Sequence, residues 1–374
     1  DLAPFLRSLV GQNPQGAQVG HCPAVVAPTR LSEQELANAV ADYRAYIANT
    51  PRFQRVRFAD LANRAEDRDH PRPFERQSLF ILPKLGKVIP QRNSSIVDEQ
   101  SQRAPGSVGS RGVRTLLQAL AEPEQHLFLI VGGPGLGKTE LGLWLLATLC
   151  GTGTAGSELP EDWVPLRIEM RQFDQEAQRQ GMGFDFASYV AKTLAAARVC
   201  LDAAQIQALH DKGQLLWIFD GMDEVRQLER RERYADTIRV LLRGSPSRAI
   251  VTSRTVGCEL VRDALEPCSE YVLQEFDDAQ VETFLGKWYS LEFAEEPEIG
   301  EKRRHRLAQI IEQSRTIRDL CRNPLLLTLL ALLNRGDELP RRRHKVFERA
   351  LDLMVAQWDA NKHLPQDLGS ASDF

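Results

Sequence analysis

The chain is predicted to be an α/β protein: a three-layer αβα sandwich around a parallel sheet, followed by an all-helical domain and preceded by a small N-terminal helical region. Three observations carry that expectation. Strand-sized apolar runs at 127–131, 164–170, 215–219, 248–253 and 270–273 alternate with helical patterns, as in parallel sheets covered on both faces. The first of these runs feeds directly into a glycine-rich octapeptide and then into a helix. Beyond Asp277 the periodicity is helical as far as Lys362.

The elements follow in order. Residues 1–31 are punctuated by Pro and Gly. A helix is predicted from Ser32, because Ser32-Glu33-Gln34-Glu35 is a capping box. Leu36, Val40, Tyr43 and Ile47 form its apolar stripe, and Pro51 lies just past its end. Residues 60–77 read as a polar loop and Leu79–Pro83 as a short extended segment. From Gln91 to Arg111 the chain is polar and reads as a linker. A short helix is expected at Thr115–Leu120, others near 185–198, 203–212 and 226–242. The expected organisation is an N-terminal region over 1–90, a linker over 91–112, a nucleotide-binding domain over 113–276, a helical domain over 277–362 and a tail over 363–374.

The octapeptide Gly132–Thr139 reads Gly-Gly-Pro-Gly-Leu-Gly-Lys-Thr, a phosphate-binding loop with the preceding strand and following helix that the motif needs. Its glycines let successive backbone N–H groups close around phosphate oxygens, and the helix N-terminus adds partial positive charge. The fold is therefore expected to be that of a P-loop NTPase. The candidate nucleotide contacts are Gly133, Pro134, Gly135, Leu136, Gly137, Lys138, Thr139 and Glu140. Lys138 would reach the β/γ-phosphates and the Thr139 hydroxyl would hold Mg²⁺.

The apolar run ending at Asp220 continues as Gly221-Met222-Asp223-Glu224, an acidic cluster at the carboxyl edge of a strand, where open α/β sheets bind ligands. Asp220 is the expected second Mg²⁺ partner, because Mg²⁺ prefers hard oxygens and keeps several waters. Asp223 or Glu224 could orient or deprotonate an attacking water. The next strand ends at Thr252-Ser253-Arg254, which places a cation beside the acids and within reach of a γ-phosphate.

Composition narrows the partners. A 43% hydrophobic and 26% charged chain is ordinary for a globular protein, and its net charge of −4 carries no global nucleic-acid signal. Residues 51–114 are locally basic without interleaved aromatics, and Arg341-Arg342-Arg343-His344-Lys345 reads as a helix start; both are solvated faces before they are nucleic-acid patches. No apolar stretch reaches membrane-span length. The six cysteines are scattered without a C-x-x-C pair, and Cys150, Cys200 and Cys321 sit in apolar surroundings expected of buried, reduced thiols, which favours a cytoplasmic location. The chain starts at Asp1 without a leader and is expected to be an excised or processed piece.

With Gly132–Thr139, Phe-Asp-Gly-Met-Asp-Glu at 219–224 and Val-Thr-Ser-Arg at 251–254, the chain resembles the NACHT group of signal-transducing STAND P-loop NTPases, the switches of animal inflammasome receptors and bacterial defence proteins. Phe284–Trp288, Arg322–Leu327, Leu339-Pro340 and Trp358-Asp359 extend the likeness to roughly 113–362. The resemblance implies a slow Mg²⁺-dependent NTPase that is closed with ADP, open with ATP, and self-oligomerising in immune or antiphage signalling. Effector and sensor domains would lie outside the chain. It makes Lys138 and Thr139 phosphate and Mg²⁺ ligands, Asp220 the Mg²⁺ aspartate, Asp223 and Glu224 the acids of turnover, and Arg254 a sensor arginine. It sets Pro324 on or beside the adenine, and proline's rigid apolar face suits that role. Members usually continue into a winged-helix domain with a further nucleotide contact, a contact expected to be absent from the residues up to Phe374. The alternatives are a ring-forming AAA+ motor and a nucleotide-regulated DNA-binding regulator.

Overall fold

In the computed structural model, residues 32–56, 74–88, 113–151, 159–181, 184–256 and 258–335 are described. Expectations for residues 1–31, most of the 60–77 loop, the linker 91–112, Leu339-Pro340, Arg341–Lys345, Trp358-Asp359, the tail and Cys22 lie outside them.

Ser32 caps α1 (Glu33–Asn49) through the expected reciprocal box with Glu35, and Leu36, Ala39, Tyr43 and Ile47 are its buried stripe. Pro51 opens a single turn, α2 (Pro51–Gln54), in the first-turn position where its missing N–H costs nothing. Strands β1 (Arg55–Val56) and β2 (Phe74–Glu75) then pair antiparallel. The extended segment expected at 79–83 is displaced. Leu79 closes a helical turn, α3 (Arg76–Leu79), and the strand β3 (Lys84–Lys87) begins only after Pro83, which could not donate to a ladder. Phe80 instead stacks on Trp144 at 4.9 Å between ring centroids.

A seven-stranded sheet forms the centre, in the order β4-β3-β9-β5-β8-β7-β6. Its remaining strands are β4 (Val113–Thr115), β5 (Leu127–Val131), β6 (Val164–Glu169), β7 (Leu215–Asp220), β8 (Arg248–Ser253) and β9 (Ser269–Leu273). The five from β9 to β6 run parallel, while β3 is antiparallel to both neighbours. Every residue of β5 and β7 is buried, as continuous apolar runs covered on both faces must be. The sheet takes strands from both sides of the polar stretch 91–112.

The covering helices are α4 (Leu116–Leu120), α5 (Lys138–Cys150), α6 (Met170–Gln180), α7 (Phe186–Ala196), α8 (Ala203–Asp211), α9 (Leu228–Leu241) and α10 (Glu259–Leu265). A helical block follows: α11 (Asp278–Glu292), α12 (Pro297–Gln313), α13 (Arg315–Cys321) and α14 (Pro324–Leu333). It has its own core around Phe284, Trp288, Leu307 and Leu330, which Phe74 and Leu79 join from upstream. Segment 74–88 therefore packs against both cores, and Phe80 and Leu82 join the sheet side.

Cys150 and Cys321 are buried thiols, but Cys200 is exposed. It sits between buried Val199 and buried Leu201, and in such an extended linker alternate side chains point opposite ways. Among the described residues no helix is long and apolar enough to cross a membrane.

Candidate functional site

Three parallel strands end side by side at the carboxyl edge, with β8 between β5 and β7. The loop Gly132–Gly137 leaves β5 there, tied at its start by Gly132 N–H donating to Ser253 O at 3.2 Å. Gly135 and Gly137 hold left-handed φ of 76° and 86°, which side-chain-bearing residues rarely adopt. At Gly135 a Cβ would also stand 2.7 Å from Asn323 Oδ1, so the position demands glycine twice over. Leu136 packs against the sheet core. Gly137 starts α5, and Lys138 and Thr139 occupy its first turn.

The Lys138 ammonium donates to Gly132 O at 2.7 Å and Gly133 O at 3.0 Å, bridging the mouth of its own loop. Burial pulls its pKa below the ordinary lysine value, against the pull of Asp223. Thr139 Oγ1 lies 3.4 Å from Asp220 Oδ1, which also accepts from Thr252 Oγ1 at 2.9 Å. The other carboxylate oxygen accepts from Arg167 Nη2 at 2.6 Å, and Arg167 Nη1 reaches Glu169 Oε1 at 2.7 Å. Burial opposes the Arg167 charge, but Asp220 and then Glu169 more than offset it and hold the guanidinium above its usual range.

After Asp220 the chain must turn sharply, and Gly221, at φ 78°, does so. Its N–H donates to Thr252 Oγ1 at 2.9 Å, and a Cβ there would meet Glu224 at 3.3 Å. The glycine thus lets the 3₁₀ turn Met222–Glu224 start directly after the strand. Asp223 holds Arg254 twice: Oδ1 accepts the backbone N–H at 3.1 Å and Oδ2 pairs with Nε at 2.9 Å. Desolvation, then the like charges of Asp223 and Asp220, raise the Glu224 pKa above the ordinary carboxylate range, as suits a general base.

Glu140 faces Arg76 of α3, with which it forms an ion pair. Pro324 is half-buried at the first turn of α14, and its neighbours Asn323 and Leu325 contact the loop. Asn323 Oδ1 caps the helix by accepting from Leu325 and Leu326 N–H, while Nδ2 donates to Pro134 O at 3.0 Å. Leu325 N–H adds a bond to Gly135 O at 3.2 Å.

The structure thus gathers the predicted loop, Asp220, Asp223, Glu224 and Arg254 at one sheet edge. Sequence reasoning missed Arg167, Thr252, Asn323 and Arg76. For Arg167 a clue existed: a cation inside a buried strand run calls for a buried acid. The oxygens of Thr139 and Asp220 are the hard donors that suit Mg²⁺, which needs few protein ligands when phosphates and waters complete its shell.

A phosphate loop on a parallel sheet, with acids on the strand once removed, defines a nucleotide-binding P-loop NTPase. Residues 126–292 match the family model of the NACHT domain. The chain is similar to NACHT domains over that stretch, which runs from β5 to the end of α11. No protein of curated function matches it. Among solved structures it is similar to the Aeropyrum pernix ORC1 protein in complex with DNA, at 16% identity and a TM-score of 0.32. That match covers 63% of this chain and 64% of the other.

Proposed function

We propose that the chain is a cytosolic ATP/ADP switch: a slow Mg²⁺-dependent NTPase whose helical block follows the state of the phosphate loop and whose ATP-bound form self-associates in defence signalling. The observation that carries this reading is the contact of α14 with the loop, through Asn323 to Pro134 O and Leu325 to Gly135 O. A change in the loop's backbone on binding phosphate would break or reset those bonds, which gives the two nucleotide states different contacts.

In this reading the loop N–H groups and Lys138 receive the phosphates, and Lys138 gives up its bonds to the Gly132 and Gly133 carbonyls. Thr139 and Asp220 would hold Mg²⁺, which when bound neutralises charge on phosphate oxygens. Glu224 takes the proton of the attacking water, and Arg254 trades Asp223 for the γ-phosphate, distinguishing triphosphate from diphosphate. Pro324 lies beside the base. Sensor and effector parts would act from outside this chain.

The test is K138A. It should lose ATP and ADP binding by calorimetry, and the larger species that a non-hydrolysable ATP analogue induces in wild-type light scattering should vanish with it. Assembly that persists in K138A would overturn the switch. Wild-type turnover of many ATP per second would point to a motor instead.

A further inference from the structure

A strand interior is an expensive place for a guanidinium, and Arg167 is placed there with 8% of its side chain exposed. It lies on β6 level with Ile218 of β7, on the face that also carries Glu169 and its register partner Asp220. Gly142 of α5 leaves the path open, since a Cβ there would already touch Ile218 and the Arg167 stem. The head is divided between two carboxylates, Asp220 and Glu169, while its Nε–H is buried without a hydrogen-bond partner. Glu169 is itself shared, accepting from Arg52 Nη2 at 2.7 Å and Gln172 Nε2 at 2.6 Å.

We propose that Arg167 is a positioning residue that serves as the resident counter-cation of Asp220 and thereby sets the Mg²⁺ concentration at which the metal is taken up. The inference rests on the reading that Asp220 and Thr139 receive the metal. With Asp220 Oδ2 held by Arg167, Oδ1 is the oxygen turned toward Thr139. An incoming dication must share one carboxylate with a unit charge a few ångströms away, a repulsion worth several RT even at a protein-like dielectric. Glu169 moderates it by drawing the same guanidinium the other way. Arg52 competes for Glu169, so the upstream turn α2 is linked to the metal site through three consecutive charge contacts.

The experiment is a Mg²⁺ titration of the full chain at saturating ADP, read as the rise in melting midpoint. R167Q should lower the half-saturating Mg²⁺ roughly tenfold, and E169Q should raise it several-fold, because the two charges act in opposite senses. A purely structural Arg167 would lower melting equally at every Mg²⁺ level and leave half-saturation unmoved, which overturns the inference. Should R167Q fail to fold, E169Q decides alone: Glu169 is the more exposed partner, and anything but a rise is a refutation. D220N separates the two layers. Loss of the Mg²⁺-dependent rise in D220N with unmoved R167Q and E169Q sinks this inference only, whereas an undiminished rise in D220N sinks the metal-site reading itself.

Discussion

The phosphate loop is held from two sides by contacts of different kinds. On the sheet side, charge grips its helix and its acids: buried Arg76 pairs with the half-exposed Glu140, and Arg167 with Asp220 in a pair buried at both ends. The helical block on the other side touches it with two neutral bonds, Asn323 to Pro134 and Leu325 to Gly135. Buried ion pairs are costly to break, whereas single neutral bonds are worth about 1 kcal/mol net. The asymmetry teaches which side can act as a hinge. The sheet side is built to stay, and the helical side is built to let go.

The largest effect that tests this contrast comes from Arg76. Its guanidinium, 3% exposed, donates to Phe53 O at 2.9 Å and Arg55 O at 3.1 Å besides pairing with Glu140. R76M leaves those carbonyls unanswered and should destabilise the fold by about 3 kcal/mol, read as a shift in denaturant midpoint. A loss below about 1 kcal/mol would make the sheet side no firmer than the helical one.

Asn323 should behave differently. N323A removes a helix cap and the bond to Pro134, and about 1 kcal/mol of stability is expected to go with it. The larger consequence should be kinetic, with bound ADP exchanging several-fold faster in a stopped-flow chase. An unchanged exchange rate would mean that the helical side does not gate the loop.

This contrast was invisible in the sequence for a physical reason. The strand, loop and helix at 127–150 are encoded by neighbouring residues, and so is the turn after Asp220, so local pattern sufficed. Arg167 meets Asp220 across 53 positions and Asn323 meets Pro134 across 189, and no periodicity carries such pairings. The polar helix α6 hid because only Met170, Phe173 and Asp174 are buried. Strand β3 hid because Lys84, Gly86 and Lys87 flank a single leucine, Leu85, and its pairing partners lie in β4 and β9.

The smallest effect on stability concerns proton chemistry at Glu224, and it asks whether the two sides are independent. Desolvation and the negative Asp223 and Asp220 favour its neutral form in the folded protein. As a base it must be ionised, so hydrolysis should fall on acidification along a limb lying above the ordinary glutamate range, and E224Q should remove that limb with most of the turnover. Stability runs the opposite way: the contribution of a raised carboxyl is present below its unfolded pKa and lost as pH rises through the folded one. E224Q should therefore gain on wild type in melting midpoint as pH increases across that window. N323A, which touches the loop without adding or removing charge, should leave the limb where it is, whereas R167Q strips a compensating cation from Asp220 and should move the limb to higher pH. A limb that moves in N323A and not in R167Q would reverse the division of labour between the two sides.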